Sequence, residues 1–216
     1  MTRLEIWSDP ICPWCWIGST GLFRAIEAIG DTPFEVSWHP FFLNPEMPPG
    51  GMDRRAYLEA KFGGKAGAAK AYMPVSENAE AMNLPLNLDK IGKTPRTQDA
   101  HRLIHWAGIE GKQTGLAMAL FEAYFRDGKD IGDAEVLAEI GGHVGLDRDL
   151  ITRLLATDQD LELVETDAAR GRDMGITGAP TFIIAGAHVV PGAQPAHFWE
   201  RVAREILTAQ KDMQPE

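Results

Sequence analysis

Ile6-Trp7-Ser8-Asp9-Pro10-Ile11-Cys12-Pro13-Trp14-Cys15-Trp16-Ile17-Gly18 is the stretch on which the fold turns. Leu4 and Ile6 lead into Trp7-Ser8 as a short strand, and Asp9-Pro10 breaks it just ahead of the cysteines. Beyond them Ile17, Leu22, Phe23, Ile26 and Ile29 keep a helical repeat over about three turns, with Gly30-Asp31 as a stop signal. Phe34, Val36 and Trp38 then alternate with Glu35, Ser37 and His39 before Pro40, which reads as a second strand. Strand, helix, strand is the connectivity of a right-handed parallel unit.

Cys12 and Cys15 are the two cysteines of a 216-residue chain. Two in so long a chain are not the disulfide framework of a small secreted domain, so their spacing calls for chemistry, metal or chance. Between a strand and a helix, Cys12 falls at the N-cap, Pro13 at N1 and Cys15 at N3. Proline suits N1 because it has no N–H to waste and its fixed φ pre-forms the first turn. The free N–H groups at N2 and N3 would point toward the Cys12 sulfur, and the positive end of the helix dipole favours thiolate over thiol. Cys12 is therefore the candidate nucleophile. Cys15, one turn in, is expected to be more buried and to act after a mixed disulfide has formed, attacking Cys12 to release the reduced substrate. Pro13 and Trp14 border the nucleophile, and Trp14 is expected to be exposed, whereas Trp7 and Trp16 read as core. Asp9 reads as the turn residue ending the first strand, the other reading being a carboxylate that modulates the thiols.

From about Asp53 to Asp173 the pattern becomes helical, with segments at Arg54 to Phe62, Thr97 to Ala107, Thr114 to Phe125, Ala134 to Val144 and Leu161 to Met174. This predicts a thioredoxin-like domain over 1–52 and 175–216, interrupted by a large all-helical insertion over 53–174. Thr181-Phe182-Ile183-Ile184 and His188-Val189-Val190 read as strands joined by the tight Ala185-Gly186-Ala187 turn. An amphipathic helix at roughly Pro195 to Thr208 closes the chain, and Gln210 to Glu216 is expected to fray.

The net charge of −10 argues against nucleic acid as a partner, because that binding rests on clustered Lys and Arg. The longest apolar runs fall far short of the ~18 residues of a membrane span. The N-terminus lacks the pattern of a secretory signal, so the expectation is a cytoplasmic protein without membrane partners. His101 and His105, four apart on one helical face, could join the cysteines in a Cys2His2 zinc site. Pro13-Trp14 between the thiols suits a redox turn better, and no metal or cofactor is assigned. The glycines follow neither a dinucleotide nor a phosphate-loop spacing.

Taken together, Ser8 to Gly18, Thr97-Gln98-Asp99-Ala100-His101-Arg102-Leu103, Gly178-Ala179-Pro180-Thr181-Phe182 and Gly192-Ala193-Gln194 resemble the DsbA family, specifically its FrnE-like branch, over nearly the whole chain. The resemblance implies an α/β thioredoxin fold carrying a helical insertion, with Pro180 as a cis-proline beside Cys12. The backbone of Ala179 would pair with extended substrates, a mode that tolerates many sequences. The chain departs from the family's periplasmic oxidants in lacking both an export signal and a His between the cysteines, which argues against a strongly oxidising role. A related branch of glutathione-dependent isomerases and transferases carries serine at the position of Cys12.

The leading expectation is a thiol–disulfide oxidoreductase, as reductase, oxidase or isomerase, acting on protein or small-molecule thiols and disulfides. Glutathione fits as substrate or reductant. The alternatives are a glutathione-dependent transferase or isomerase on small molecules, and an unfolded-protein binding module. The expected assembly is a monomer or homodimer, with Met47, Met52 and Phe62 as exposed apolar residues of a partner surface.

Overall fold

The computed structural model describes residues 1–212. Strand β1 (Thr2–Ser8) runs into helix α1 (Pro13–Ile29), which returns to β2 (Phe34–Pro40) parallel to β1 with Ile6 opposite Trp38. Gly30 ends α1 in the left-handed conformation at φ 73°, its N–H closing on the Ile26 and Glu27 carbonyls, as the Gly30-Asp31 signal predicts. After the insertion, β5 (Thr181–Ile184) pairs antiparallel with β1, and β6 (His188–Pro191) with β5, giving the order β2-β1-β5-β6. Positive φ at both Ala185 and Gly186 makes the tight hairpin turn. Helix α9 (Ala196–Asp212) extends past the predicted end. The expected fraying at Gln210 is corrected: its side chain donates to Thr2 Oγ1 at 3.2 Å, and the end of that segment, 213–216, lies outside the described residues.

The insertion contains α2 (Arg54–Phe62), α3 (Lys65–Ala81), α4 (Gln98–Ile109), α5 (Gln113–Phe121) continuing into a π-helical turn at Glu122–Arg126, α6 (Ala134–His143), α7 (Arg148–Leu155) and α8 (Leu161–Asp173). Two of these escape the helical periodicity. Helix α3 carries Gly67 and Pro74, residues that normally argue against a helix interior, and α7 is only two turns long. The insertion also holds a small ladder, β3 (Met52–Asp53) against β4 (Lys93–Thr94), that an all-helical reading omits.

Alternation along β1 divides the core. Leu4 and Ile6 join Phe182, Ile184 and Trp199 of α9 on one face, while Trp7 meets Phe41, Ile176 and Ile183 on the other. The first cluster continues through Trp16 and Trp38 into Leu103, Leu116, Phe121, Phe125 and Leu137 of the insertion, so both parts of the chain share one core. Trp16 and Phe125 stack across that junction with centroids 5.7 Å apart. Of the proposed partner surface, Met52 and Phe62 are exposed but Met47 is buried. Among the described residues no helix is long and apolar enough to cross a membrane.

Candidate active site

Cys12 is the N-cap of α1 and Pro13 opens the helix, as the local sequence predicts. The N-cap sulfur makes no hydrogen bond to the first-turn amides. The Cys12 thiol instead donates to the carbonyl of Ala179, Sγ to O 3.5 Å, across a separation of 167 residues. The peptide bond Ala179-Pro180 is cis. Pro180 is held by its carbonyl, which accepts from Gly192 N at 2.8 Å, and by the close approach of α1. A Cβ at Gly18 would stand 3.1 Å from Ala193 Cα and 3.3 Å from Pro180 Cγ, so the absence of a side chain at 18 lets the helix seat against this loop.

Cys12 and Cys15 are both free thiols and both buried. Cys12 opens on a cavity of about 240 Å³ shared with Pro13, Trp14 and Ala179, whereas Cys15 lies in the core with no exposed surface. Burial first, and then the neighbouring Cys12 sulfur, push the Cys15 thiol well above its ordinary range, against the Ser8 hydroxyl and Asp9 backbone that favour its anion. One sulfur thus reaches a cavity and its partner is a reluctant acid beneath it. Trp14 is half-buried, correcting the expectation of exposure: its ring packs against core residues and lines the cavity.

Asp9 is the turn residue that its position suggests, and more. Its Oδ1 accepts from Ile11 N at 3.3 Å, ending β1 ahead of the cysteines, and its Oδ2 accepts from Leu43 N at 2.8 Å, tying in the loop after β2. Burial raises its carboxyl to about 6 against these two backbone donors, which lower it.

The histidines go elsewhere. His101 is buried edge-on against Phe42, 5.2 Å between centroids, with Nε2 unpartnered. Burial lowers it to about 3. No three His, Cys, Asp or Glu side chains gather to hold a metal among the described residues. His39 sits between Asp167 at 2.9 Å and Ser37 at 3.1 Å, and its ring stacks on Trp7.

The cavity wall opposite the thioredoxin half was not legible in the sequence. It comes from α2, α3 and β4, with Arg54, Tyr57, Lys61, Tyr72 and Thr94 facing the Cys12 side. The basic positions Arg54, Arg55 and Lys61 in an acidic chain were the available hint.

Known proteins are similar to this chain in sequence and in fold. A protein of Bacillus subtilis (strain 168), YwbO, is 29% identical over 204 residues, covering 92% of this chain and 94% of its own. The crystal structure of the probable DsbA oxidoreductase SCO1869 from Streptomyces coelicolor superposes with a TM-score of 0.84 at 28% identity, over 100% of this chain and 93% of that one. The cytosolic disulfide reductase DsbM from Pseudomonas aeruginosa, solved with GSH, shares the fold at a TM-score of 0.65 and 20% identity, over 95% and 99% of the two chains. The model of the DSBA-like thioredoxin domain matches residues 3–203, and the chain belongs to that family.

Proposed function

We propose that this protein is a dithiol–disulfide oxidoreductase in which Cys12 is the nucleophile and Cys15 the resolving thiol. The observation that carries the reading is the asymmetry of the pair: Cys12 faces a cavity beside the Ala179 carbonyl, and Cys15 is sealed beneath it. The Cys12 thiolate attacks one sulfur of a disulfide, forming a mixed disulfide and expelling the other sulfur as thiolate. Cys15 then gives up its proton and attacks the Cys12 sulfur, releasing the second substrate thiolate and leaving a Cys12–Cys15 disulfide. Two electrons pass to the substrate, and the reverse sequence oxidises a dithiol. A Cys15 thiol held well above its usual range stays protonated while Cys12 is free, so Cys15 does not compete for the first attack.

The test is trapping. Cys15→Ser should accumulate a one-to-one adduct at Cys12 with a small disulfide, read by intact mass and peptide mapping, while Cys12→Ser should form none. An adduct mapped to Cys15, or no adduct in either variant, overturns the assignment. Redox titration of the wild-type protein should give one reversible two-electron transition, whose midpoint sets the direction of electron flow against the host compartment.

A further inference from the structure

We propose that the Cys12 cavity contains a carboxylate subsite, built by Arg54 and Lys61, that selects small disulfides bearing an acidic group near the sulfur. The inference rests on the oxidoreductase reading and names its substrate class. Arg54 opens α2 and is only 6% exposed. Its guanidinium donates to two neutral partners, Tyr124 Oη at 3.0 Å and Tyr72 Oη at 3.1 Å, and lies 5.7 Å from the Tyr124 ring centroid and 5.4 Å from that of Tyr72. It forms no ion pair among the described residues. Glu59 and Asp89, with Arg55 and Lys65, line an adjoining cavity that Arg54 also borders. A buried guanidinium without a counter-ion is costly, and an anion brought in by a substrate would offset that cost.

The cavity supports that reading by its composition. Cys12, Arg54, Tyr57, Lys61, Tyr72 and Thr94 line it together, and among the described residues neither Asp nor Glu does, in a chain with 31 acidic residues. Thr94 Oγ1 is buried there beside the Tyr124 hydroxyl. Lys61 stands at the rim, oriented by Tyr57 Oη at 2.7 Å and Asn44 Oδ1 at 3.1 Å. At about 240 Å³ the space is below the ~300–1,000 Å³ of sites for drug-sized ligands, so it takes one short arm of a disulfide rather than a folded chain. A carboxylate on that arm would meet the guanidinium while its sulfur meets Cys12, and Arg suits this planar recognition. The exchange is the two-step transfer given above, and a single turnover of the reduced protein needs no further reductant.

The experiment compares single-turnover rates of reduced protein with 3,3′-dithiodipropionate, hydroxyethyl disulfide and cystamine, which are anionic, neutral and cationic. The anionic disulfide should react about tenfold or more faster than the neutral one, the factor one charge-assisted hydrogen bond supplies. Arg54→Met should abolish that ratio. Should that variant fail to fold, Lys61→Gln, at an exposed position, should lower the ratio severalfold. Equal wild-type rates or an unchanged ratio in the variants overturns the subsite and leaves the oxidoreductase reading standing. A redox-inert probe separates the converse case. Saturable binding of 3-(methylthio)propanoate to Cys12→Ser, lost on adding Arg54→Met, sustains the subsite even if the wild type exchanges no disulfide.

Discussion

Two buried ionisable side chains set opposite pH slopes on stability. The Asp9 carboxyl holds its proton to about 6 in the folded chain against 3.8 as its ordinary value, so between those limits the folded state binds the extra proton and stability falls as pH rises. His101 works the other way. The unfolded chain takes up its proton near 6.5 and the folded chain only near 3, so stability present above 6.5 is lost as pH falls. Each slope approaches 1.4 kcal/mol per pH unit within its window, and between about pH 4 and 6 the two oppose. Asp9→Asn should therefore make stability fall more steeply from pH 6 to 4 than in the wild type, by about 1 kcal/mol per unit. His101→Leu should flatten or reverse the fall, without loss at pH 7, because the Nε2 it removes is unpartnered. Urea unfolding at several pH values measures both, and wild-type slopes in both variants would show that neither group titrates as described. Asp9→Asn should also cost about 1–3 kcal/mol at neutral pH, since one amide oxygen cannot replace both carboxylate oxygens that receive Ile11 N and Leu43 N.

At the scale of elements, Arg102 explains why the Thr97 to Leu103 segment has the composition it does. This residue of α4 is buried, and its guanidinium donates to the carbonyls of Leu154, Thr157 and Gln159 at 2.7–2.8 Å and to Asp99 at 2.7 Å. It adds to the Leu154 carbonyl at the end of α7, which also accepts from Thr157, and it satisfies the carbonyls of Thr157 and Gln159 in the turn before α8. Arg102→Met keeps the stem packing and strands the Thr157 and Gln159 carbonyls, so it should destabilise the protein by about 2–4 kcal/mol. Chemical unfolding would read this, and a loss under 1 kcal/mol would mean that water replaces the guanidinium there. Helix α8 presses on the sheet in a comparable way at Gly171, where a Cβ would overlap the Trp7 ring. Neither contact follows from periodicity, because each depends on a partner far along the chain.

Across the whole molecule, the shared core predicts that thioredoxin half and insertion unfold together. Far-UV circular dichroism and tryptophan fluorescence should trace one coincident transition, since Trp16 and Trp38 sit where the two parts meet. Two separated transitions would show that the junction is weaker than its packing indicates. The sequence by itself determined the elements that local chemistry dictates. The strand–helix–strand start, the N-cap cysteine with proline behind it, the hairpin and most insertion helices are readable because capping, alternation and helical repeat act within a few residues. Helix α3 was hidden because Gly67 and Pro74 violate local propensity and tertiary packing overrides them. What only the tertiary structure decided is the environment of the thiols: the burial that raises Cys15, the Ala179 carbonyl against Cys12, the half-buried Trp14, and the Arg54 wall. Each arises from segments up to 167 residues apart in the chain, and desolvation and charge proximity are properties of that three-dimensional assembly, which no local pattern encodes.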